Sequence, residues 1–575
     1  MCGIFLSVAH NTAHPVSVAL HDLLKHRGPD SQHCLQIELR GSHDPLHLCC
    51  VSSVLSLRGD RTVEQPIAEH LDDSHFKQTS LLCWNGEAWA FAGTSIRGND
   101  SSHVFQTLCH VSRLCKDTSA ASPEIAVAEA LASYTGPFAF AFYDHLFRRL
   151  YCGRDFLGRR SLLFSKNGCG SLLISSVPDG RDHWQEFEAD GLYWVELDST
   201  HKGQSLEFRK TPYWCCDEKT RSLRYASSSV LKLPSPMPAL DDYTPILNLD
   251  AECPPAEAVQ RLLMQALRPR LLSIPQRRSK ALHRSENAAR LAILFSGGID
   301  CTLLARLSHD VLESDEYIDL LNVAFENPRV HRQSTDAGLS PYEQCPDRIT
   351  AQSSLRQLQK ACPSRKWRLV YINVPHSEYT EHRQKIIDLI YPHNTEMDLS
   401  IAAALYFAAR GRGILIDRSP YDTTARVLLS GLGADELFGG YTRHATAHNR
   451  GGFSALQDEL ALDISRLGKR NLGRDDRVIS HWAKEARYPF LDEHLVHWAL
   501  SATLTEKCGF GQADLVDGNG DILDPAKMLL RCLAVRLKLG SVAHEKKRAI
   551  QFGARTAKMD VRKTKGTQLL TIDTG

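Results

Sequence analysis

Apolar and polar positions divide the chain into stretches with different periodicity. Up to about residue 213, short apolar or β-rich runs recur between Gly, Asp, Asn and Pro. Leu81–Trp84, Phe138–Tyr143 and Leu172–Ser176 are the clearest, and each reads as a strand. Helical patches over Val104–Cys115 and Pro123–Ser133 sit among them, so the pattern predicts a mixed α+β domain. A Pro-, Ser- and Asp-rich stretch from Leu231 to Pro255 reads as a linker. A helix over 255–272 and a polar, basic stretch from Gln276 to Asn287 follow. Between 290 and 430 strand and helix alternate. Strands are expected at Leu291–Phe295, Ile318–Phe325, Arg368–Val374 and Val427–Ser430. Helices are expected near 302–309, 347–361 and Leu399–Arg410, the last with Asp398 as N-cap and Gly411 as its stop. A long polar insert spans Glu326–Pro346. Such alternation predicts a parallel sheet covered on both faces. The remainder to about 555 reads as helical, and the last twenty residues as a polar, disordered tail.

Length and composition narrow this picture. With 575 residues, one core is excluded and two large domains are expected. Net charge is +1, which gives no sign of a nucleic-acid or membrane-surface partner. No apolar run is long enough to span a bilayer, and Met1–His10 lacks the basic leader of a secretory signal. Seventeen cysteines occur without one Cys-x-x-Cys pair. They read as small buried hydrophobes in a reducing, cytoplasmic compartment.

Candidate chemistry begins at Cys2. Removal of Met1 would leave Cys2 with a free α-amine beside its thiol, so one residue would supply nucleophile and base. Taken alone, a cysteine at position 2 is equally a chance residue. Four segments add weight: the turn His26-Arg27-Gly28-Pro29-Asp30, the triplet Asn85-Gly86-Glu87 after a strand, Asp100 in a polar loop, and the Gly-punctuated turn Gly153–Arg160. Asn85 and Gly86 suit donors aimed at one oxyanion.

A second constellation lies further on. The strand Leu291–Phe295 feeds Ser296-Gly297-Gly298-Ile299-Asp300-Cys301, a glycine turn before a helix that suits a phosphate. Asp300 is placed for Mg²⁺. Ser430–Tyr441 is a second Gly-rich, doubly acidic loop at a strand end. In a parallel sheet both loops fall on one edge, where ligands bind.

The N-terminal segments, in this order and spacing, resemble the class II glutamine amidotransferases. The two loops, with Glu485–Asp492, resemble the ATP-pyrophosphatase domain of asparagine synthetases. The chain is thus identified as a member of the asparagine synthetase family over about residues 2–215 and 288–555. The implied fold is an N-terminal-nucleophile sandwich (four-layer αββα), then an α/β parallel-sheet ATP-pyrophosphatase domain with a helical C-terminal part. The implied segments are 2–215, a linker and helix over 216–287, 288–555, and a disordered tail over 556–575. The implied catalytic set is Cys2, Asn85 and Gly86, with Arg58, Glu87 and Asp100 holding glutamine. The implied ATP set is Phe295, Ser296, Gly297, Gly298, Asp300, Val323, Ser430, Gly431 and Lys527, with Asp300 and Asp435 for Mg²⁺. Lys546, Lys547 and Arg548 read as a solvated basic face.

The resemblance implies a glutamine- and ATP-dependent, AMP-forming amide synthetase that turns aspartate into asparagine and carries ammonia between two sites. Two departures keep a second reading open. Leu432 stands where the family has a glutamate in its second loop, and Cys301 where it has a serine. These favour a glutaminase whose other half is a nucleotide-binding or interaction module. The sequence does not set the oligomeric state.

Overall fold

The computed structural model describes residues 2–10, 13–39, 45–69, 79–118, 122–166, 171–180, 183–197, 206–213, 253–275, 288–331, 340–517, 520–559 and 565–570. Met1, most of the Pro-rich linker, the basic stretch 276–287 and part of the polar insert lie outside them. The chain forms two compact units. One gathers residues 1–232, 388–393 and 467–483; the other gathers 233–387, 394–466 and 484–575.

Alternation along strands builds the first unit. Six antiparallel strands lie in the order Gln185–Glu186, Leu163–Lys166, Leu172–Ser175, Gly3–His10, Leu46–Val54, Ser31–Leu39. A second sheet has the order Arg209–Thr211, Leu192–Glu196, Arg149–Arg154, Phe138–Asp144, Leu81–Gly86, Ile67–Ala68. Ile4, Leu6 and Val8 point inward and share a core with Cys83, Ala139 and Ala141 of the second sheet. Phe5 points outward, onto Leu20 and Leu24 of the helix Val18–Arg27. On the far face Trp84, Phe138, Phe140 and Phe142 pack against Val104, Leu108, Val127 and Leu131 of two more helices. The Phe-Ala-Phe-Ala-Phe run thus sends rings to the helices and methyls to the sandwich interior, as period-2 geometry requires. Each buried ring contributes about 1.5–3 kcal/mol. Strand Gly3–His10 is central in its sheet, so Cys2 is delivered at the head of a buried strand.

The second unit holds a seven-stranded sheet. Its order is Pro420–Asp422, Arg412–Ile414, Lys366–Val374, Tyr317–Phe325, Ala289–Leu294, Val427–Leu429, Glu485–Arg487. The last five are parallel and the first two antiparallel. Ala289–Leu294 and Val427–Leu429 are direct neighbours (Ile293 opposite Leu429), so the loops that follow them emerge side by side. The helix Pro254–Leu272 matches its expected span.

Two expectations need correction. The helix Glu396–Arg410 is capped by Thr395, whose hydroxyl accepts from Asp398 N, and not by Asp398. Threonine three residues upstream completes the same hydrogen bond with the chain already extended. The tail is not uniformly disordered. Gly566 and Gln568 carbonyls accept from Met397 N and Glu396 N, and Leu570 N donates to Asn394 O. The first two bonds satisfy open N–H groups at that helix start, and the third pairs a carbonyl just before it.

Candidate functional site

In the first unit the sandwich converges on Cys2. Its backbone N donates to Asn85 Oδ1 at 3.0 Å. This N–H belongs to a peptide bond while Met1 is present, and it stands in for the α-amine that processing would free. Asn85 is fully buried, and its Nδ2 has no hydrogen-bond partner. A buried amide donor without an acceptor costs roughly 1–3 kcal/mol, so it is poised for an oxygen brought by a ligand. Gln65 Nε2 approaches Cys2 Sγ at 4.0 Å while its Oε1 accepts from Trp84 N at 2.7 Å. Gln65 was not singled out in the sequence; the only signal is its place just before Pro66, in the segment after Arg58. Gly86 leaves no room for a side chain, since a Cβ there would fall 2.5 Å from Pro137 O.

Asp100 begins the helix Asp100–Thr118, and its Oδ2 accepts from Ala88 N and Trp84 Nε1. Burial raises its pKa, against the opposing pull of Arg58 and those donors. Glu87 is buried directly after Gly86. Arg58 is partly spent: its guanidinium donates to the carbonyls of Gly98, Ala88 and Ile96. Those three bonds use one N–H on each nitrogen, and two N–H groups remain for a carboxylate. The turn Gly153–Arg160 is structural. Asp155 binds Arg159 at 2.9 Å and accepts from Phe138, Leu157 and Arg159 N–H groups.

In the second unit the two Gly-rich loops meet. Gly297 has φ +82°, and a Cβ there would fall 2.4 Å from Ala351 N, so the turn admits glycine alone. Gly431 packs on Asp300, 2.8 Å separating its would-be Cβ from Asp300 Cβ. Lys527 Nζ lies between the two carboxylates, 2.6 Å from Asp300 Oδ2 and 2.7 Å from Asp435 Oδ1. Lys547 Nζ pairs with Asp435 Oδ2. Lys546, Lys547 and Arg548 are exposed, as expected of a solvated face, but tertiary folding also brings Lys547 to a carboxylate 112 positions away. Burial works to raise Asp435, but the two lysines hold it well below the usual carboxylate range. Burial pushes Asp300 up, with Lys527 opposing. Against the same burial, the two carboxylates hold Lys527 protonated.

The donor set of two carboxylates is one that would suit a divalent cation. Asp300 Oδ1 is buried without a hydrogen-bond partner, and at Gly440 a Cβ would collide with Asp435 Oδ1 and Lys527 Cε, so a glycine cradle surrounds the carboxylate. Ser296 Oγ accepts from Gly298 N at 3.3 Å. Cys301 donates to Gly298 O at 3.3 Å, and burial pushes its thiol up to about 11, so it stays protonated and turned into the loop. Ser430 Oγ accepts from Leu432 N at 3.3 Å. The Leu432 loop is thus held from its backbone. Val323 is buried in the strand Tyr317–Phe325, whose neighbour Phe295 leads into the Ser296–Gly298 turn. Among the described residues all fourteen cysteines are free thiols, and all but Cys34 are buried. No described helix is long and apolar enough to cross a membrane.

A cysteine at position 2 whose nitrogen is held by a buried amide, joined in one chain to a Gly-rich acidic loop pair on a parallel sheet, defines a two-part class of protein. The family profile described as a glutamine amidotransferase domain matches residues 1–190, and that described as asparagine synthase matches residues 279–455 and 451–565. The chain is 33% identical to asparagine synthetase domain-containing protein 1 of Bos taurus, over 97% of this chain and 96% of that one. It is 34% identical to an asparagine synthetase domain-containing protein of Saccharomyces cerevisiae, over 90% and 86%. Identity to the glutamine-hydrolysing asparagine synthetase 1 of that yeast is 23%, over 88% and 77%. The chain belongs to the asparagine synthetase family.

Proposed function

We propose that this protein is a glutamine-dependent, AMP-forming amide synthetase, with aspartate as the acceptor. The observation that carries the reading is Asn85: its Oδ1 orients the Cys2 nitrogen, and its Nδ2 is buried and unpaired. With Met1 removed, the α-amine takes the Cys2 thiol proton. Sγ attacks the glutamine carboxamide carbon, and the new oxyanion accepts from Asn85 Nδ2. Collapse returns the proton to the departing nitrogen, leaving a thioester and ammonia; water then releases glutamate. One such oxyanion donor accounts for about 10²–10³ in kcat.

In the second unit, the acceptor carboxylate attacks the α-phosphorus of ATP and pyrophosphate leaves. Ammonia then displaces AMP from the acyl carbon. A carboxylate alone is a poor acyl donor, which is why activation comes first. Asp300 and Asp435 would hold Mg²⁺, which neutralises phosphate charge when bound. Lys527 and Lys547 are placed to meet the charge that develops on pyrophosphate once they release those carboxylates. Ser296, Gly297 and Gly298 shape the turn that receives phosphate oxygens.

A second reading is favoured by Leu432 and Cys301: a glutaminase whose second unit only binds nucleotide. One paired assay separates the two. Protein shown by mass spectrometry to lack Met1 is given glutamine alone, then ATP, Mg²⁺, aspartate and ammonia. Glutamate and pyrophosphate release are both expected. Glutamate without pyrophosphate rejects the synthetase and leaves the glutaminase; neither product rejects both.

A further inference from the structure

Arg27 is fully buried, and all three of its nitrogens are committed. Nε donates to the Cys2 carbonyl at 3.2 Å. Nη1 donates to Ser480 Oγ at 2.5 Å, and Nη2 to Asp476 Oδ2 at 2.9 Å. The last two partners lie on the helix Gly473–Ser480, four residues apart and so on one face. By sequence this helix falls inside the asparagine synthase match, 451–565. In the fold, residues 467–483 belong to the compact unit that holds Cys2.

We propose that Asp476 is a positioning residue for the Cys2 nucleophile, acting through Arg27; the proposal rests on the reading of Cys2 as the glutaminase nucleophile. The carbonyl carbon, the nitrogen and Cβ of Cys2 all leave one Cα. Arg27 fixes the carbonyl on one side, and Asn85 fixes the nitrogen on the other. With both held, the direction of the Cα–Cβ bond is fixed in the site, and Sγ is left only the staggered rotamers about it. Arg27 can keep its place only while its own charge is matched. Asp476 supplies that match as a wholly buried ion pair. Asp476 is itself held, since its Oδ2 also accepts from Ser161 N at 3.2 Å and its Oδ1 lies 3.9 Å from Arg160. Ser480 donates to Arg477 O while accepting from Arg27. Around this core, the rings of His26 and His481 stack at 4.4 Å. A part of the chain that the sequence assigns to the synthetase half thereby completes the support of the glutaminase nucleophile.

The test is steady-state glutamine hydrolysis by full-length Asp476→Asn, with active sites titrated by covalent alkylation of Cys2. The expected result is a fall in kcat per titrated site of about 10–100-fold, as misplacement by about 1 Å produces. KM for glutamine should stay within about 3-fold, because Arg58, Glu87 and Asp100 are untouched. Unchanged kcat per titrated site in folded protein overturns the proposal, even if the melting temperature drops. So does a rise in KM at constant kcat. Should Asp476→Asn fail to fold, Ser480→Ala decides. It leaves the ion pair and removes one hold on Arg27, so the same split is expected at about 3–10-fold; no change there overturns the proposal. If wild-type protein releases no glutamate, the glutaminase reading has failed on its own. The positioning role is then read from the rate at which iodoacetamide alkylates Cys2, expected to differ at least about threefold between wild type and Asp476→Asn. Equal rates overturn it.

Discussion

The Cys2 site and the paired-loop site handle buried polar groups in opposite ways. At Cys2 itself the touching side chains include two neutral amides, Asn85 and Gln65, and the Asn85 amide keeps a donor in reserve. The nearby charges Arg27, Arg58 and Asp100 are each already held by two or three hydrogen bonds. Between the two Gly-rich loops the groups are charged and answer one another: two carboxylates share Lys527, and Lys547 adds a second cation. The first arrangement needs Met1 removed and substrate bound, with no internal ion pair to give up. The second must trade internal ion pairs for substrate and cation, which makes it the more adjustable half. That fits the placement of both family departures, Leu432 and Cys301, in its loops.

Breaking each site should therefore look different. Cys2→Ala is expected to reduce glutamine-dependent glutamate release by about 10⁴-fold or more, because the attacking sulfur is lost and the α-amine that remains has no thiol to activate. Ammonia-driven product formation should be untouched. Glutamate release that survives the change would place the nucleophile elsewhere. Asp300→Ala should lower pyrophosphate release by about 10³-fold, the scale of a lost metal ligand, while glutamine hydrolysis persists. Equal losses in both assays would mean the two sites are not separable in this way.

Asn85→Ala should cost about 10²–10³ in kcat for glutamine hydrolysis, with a smaller change in KM. A purely ground-state effect, seen as KM alone, would refute its role at the oxyanion.

The loop edge offers a stability test. Asp347, at the start of the helix Pro346–Ala361, is buried, and burial pushes its carboxyl up to about 7. Its proton is held more tightly in the folded chain than in the unfolded one. The associated stability is present at pH 4 and is lost as pH rises through about 7. Asp347→Asn should therefore raise the melting temperature by a few degrees at pH 8 and by little at pH 4. A gain that is the same at both pH values would contradict the burial argument. The smallest effect is expected from Cys301→Ser, which restores the family's residue. Because the Cys301 thiol is turned onto Gly298 O, nucleotide affinity should move less than about threefold. A larger gain would show that the thiol weakens the loop.

Local chemistry made much of this legible early. The Phe-Ala alternation over 138–143 announces a strand with two unlike faces. Strand, glycine turn and Asp300 follow one another within a dozen residues, so the strand–turn–helix element can be read directly. The N-cap at Thr395 was missed because Asp398 is an equally good capping residue, and only backbone geometry separates them. Gln65 and the pairing of Lys547 with Asp435 were not foreseen for a different reason: each acquires its role from a partner remote in sequence.

The amino-acid sequence by itself determined most strand and helix types and the family, and through that resemblance it named Cys2, Asn85, Asp100, Asp300 and Asp435 as candidates. The elements depend on period, turn chemistry and spacing, which act over a few residues at a time. Tertiary structure alone decided that Arg58 spends bonds on three carbonyls, that Lys527 sits between two carboxylates, and that Asp476 underwrites Arg27. Each is a pairing of buried charge or hydrogen-bond donor with a partner tens to hundreds of residues away. Burial makes such a partner obligatory, but only the packed fold chooses which one it is.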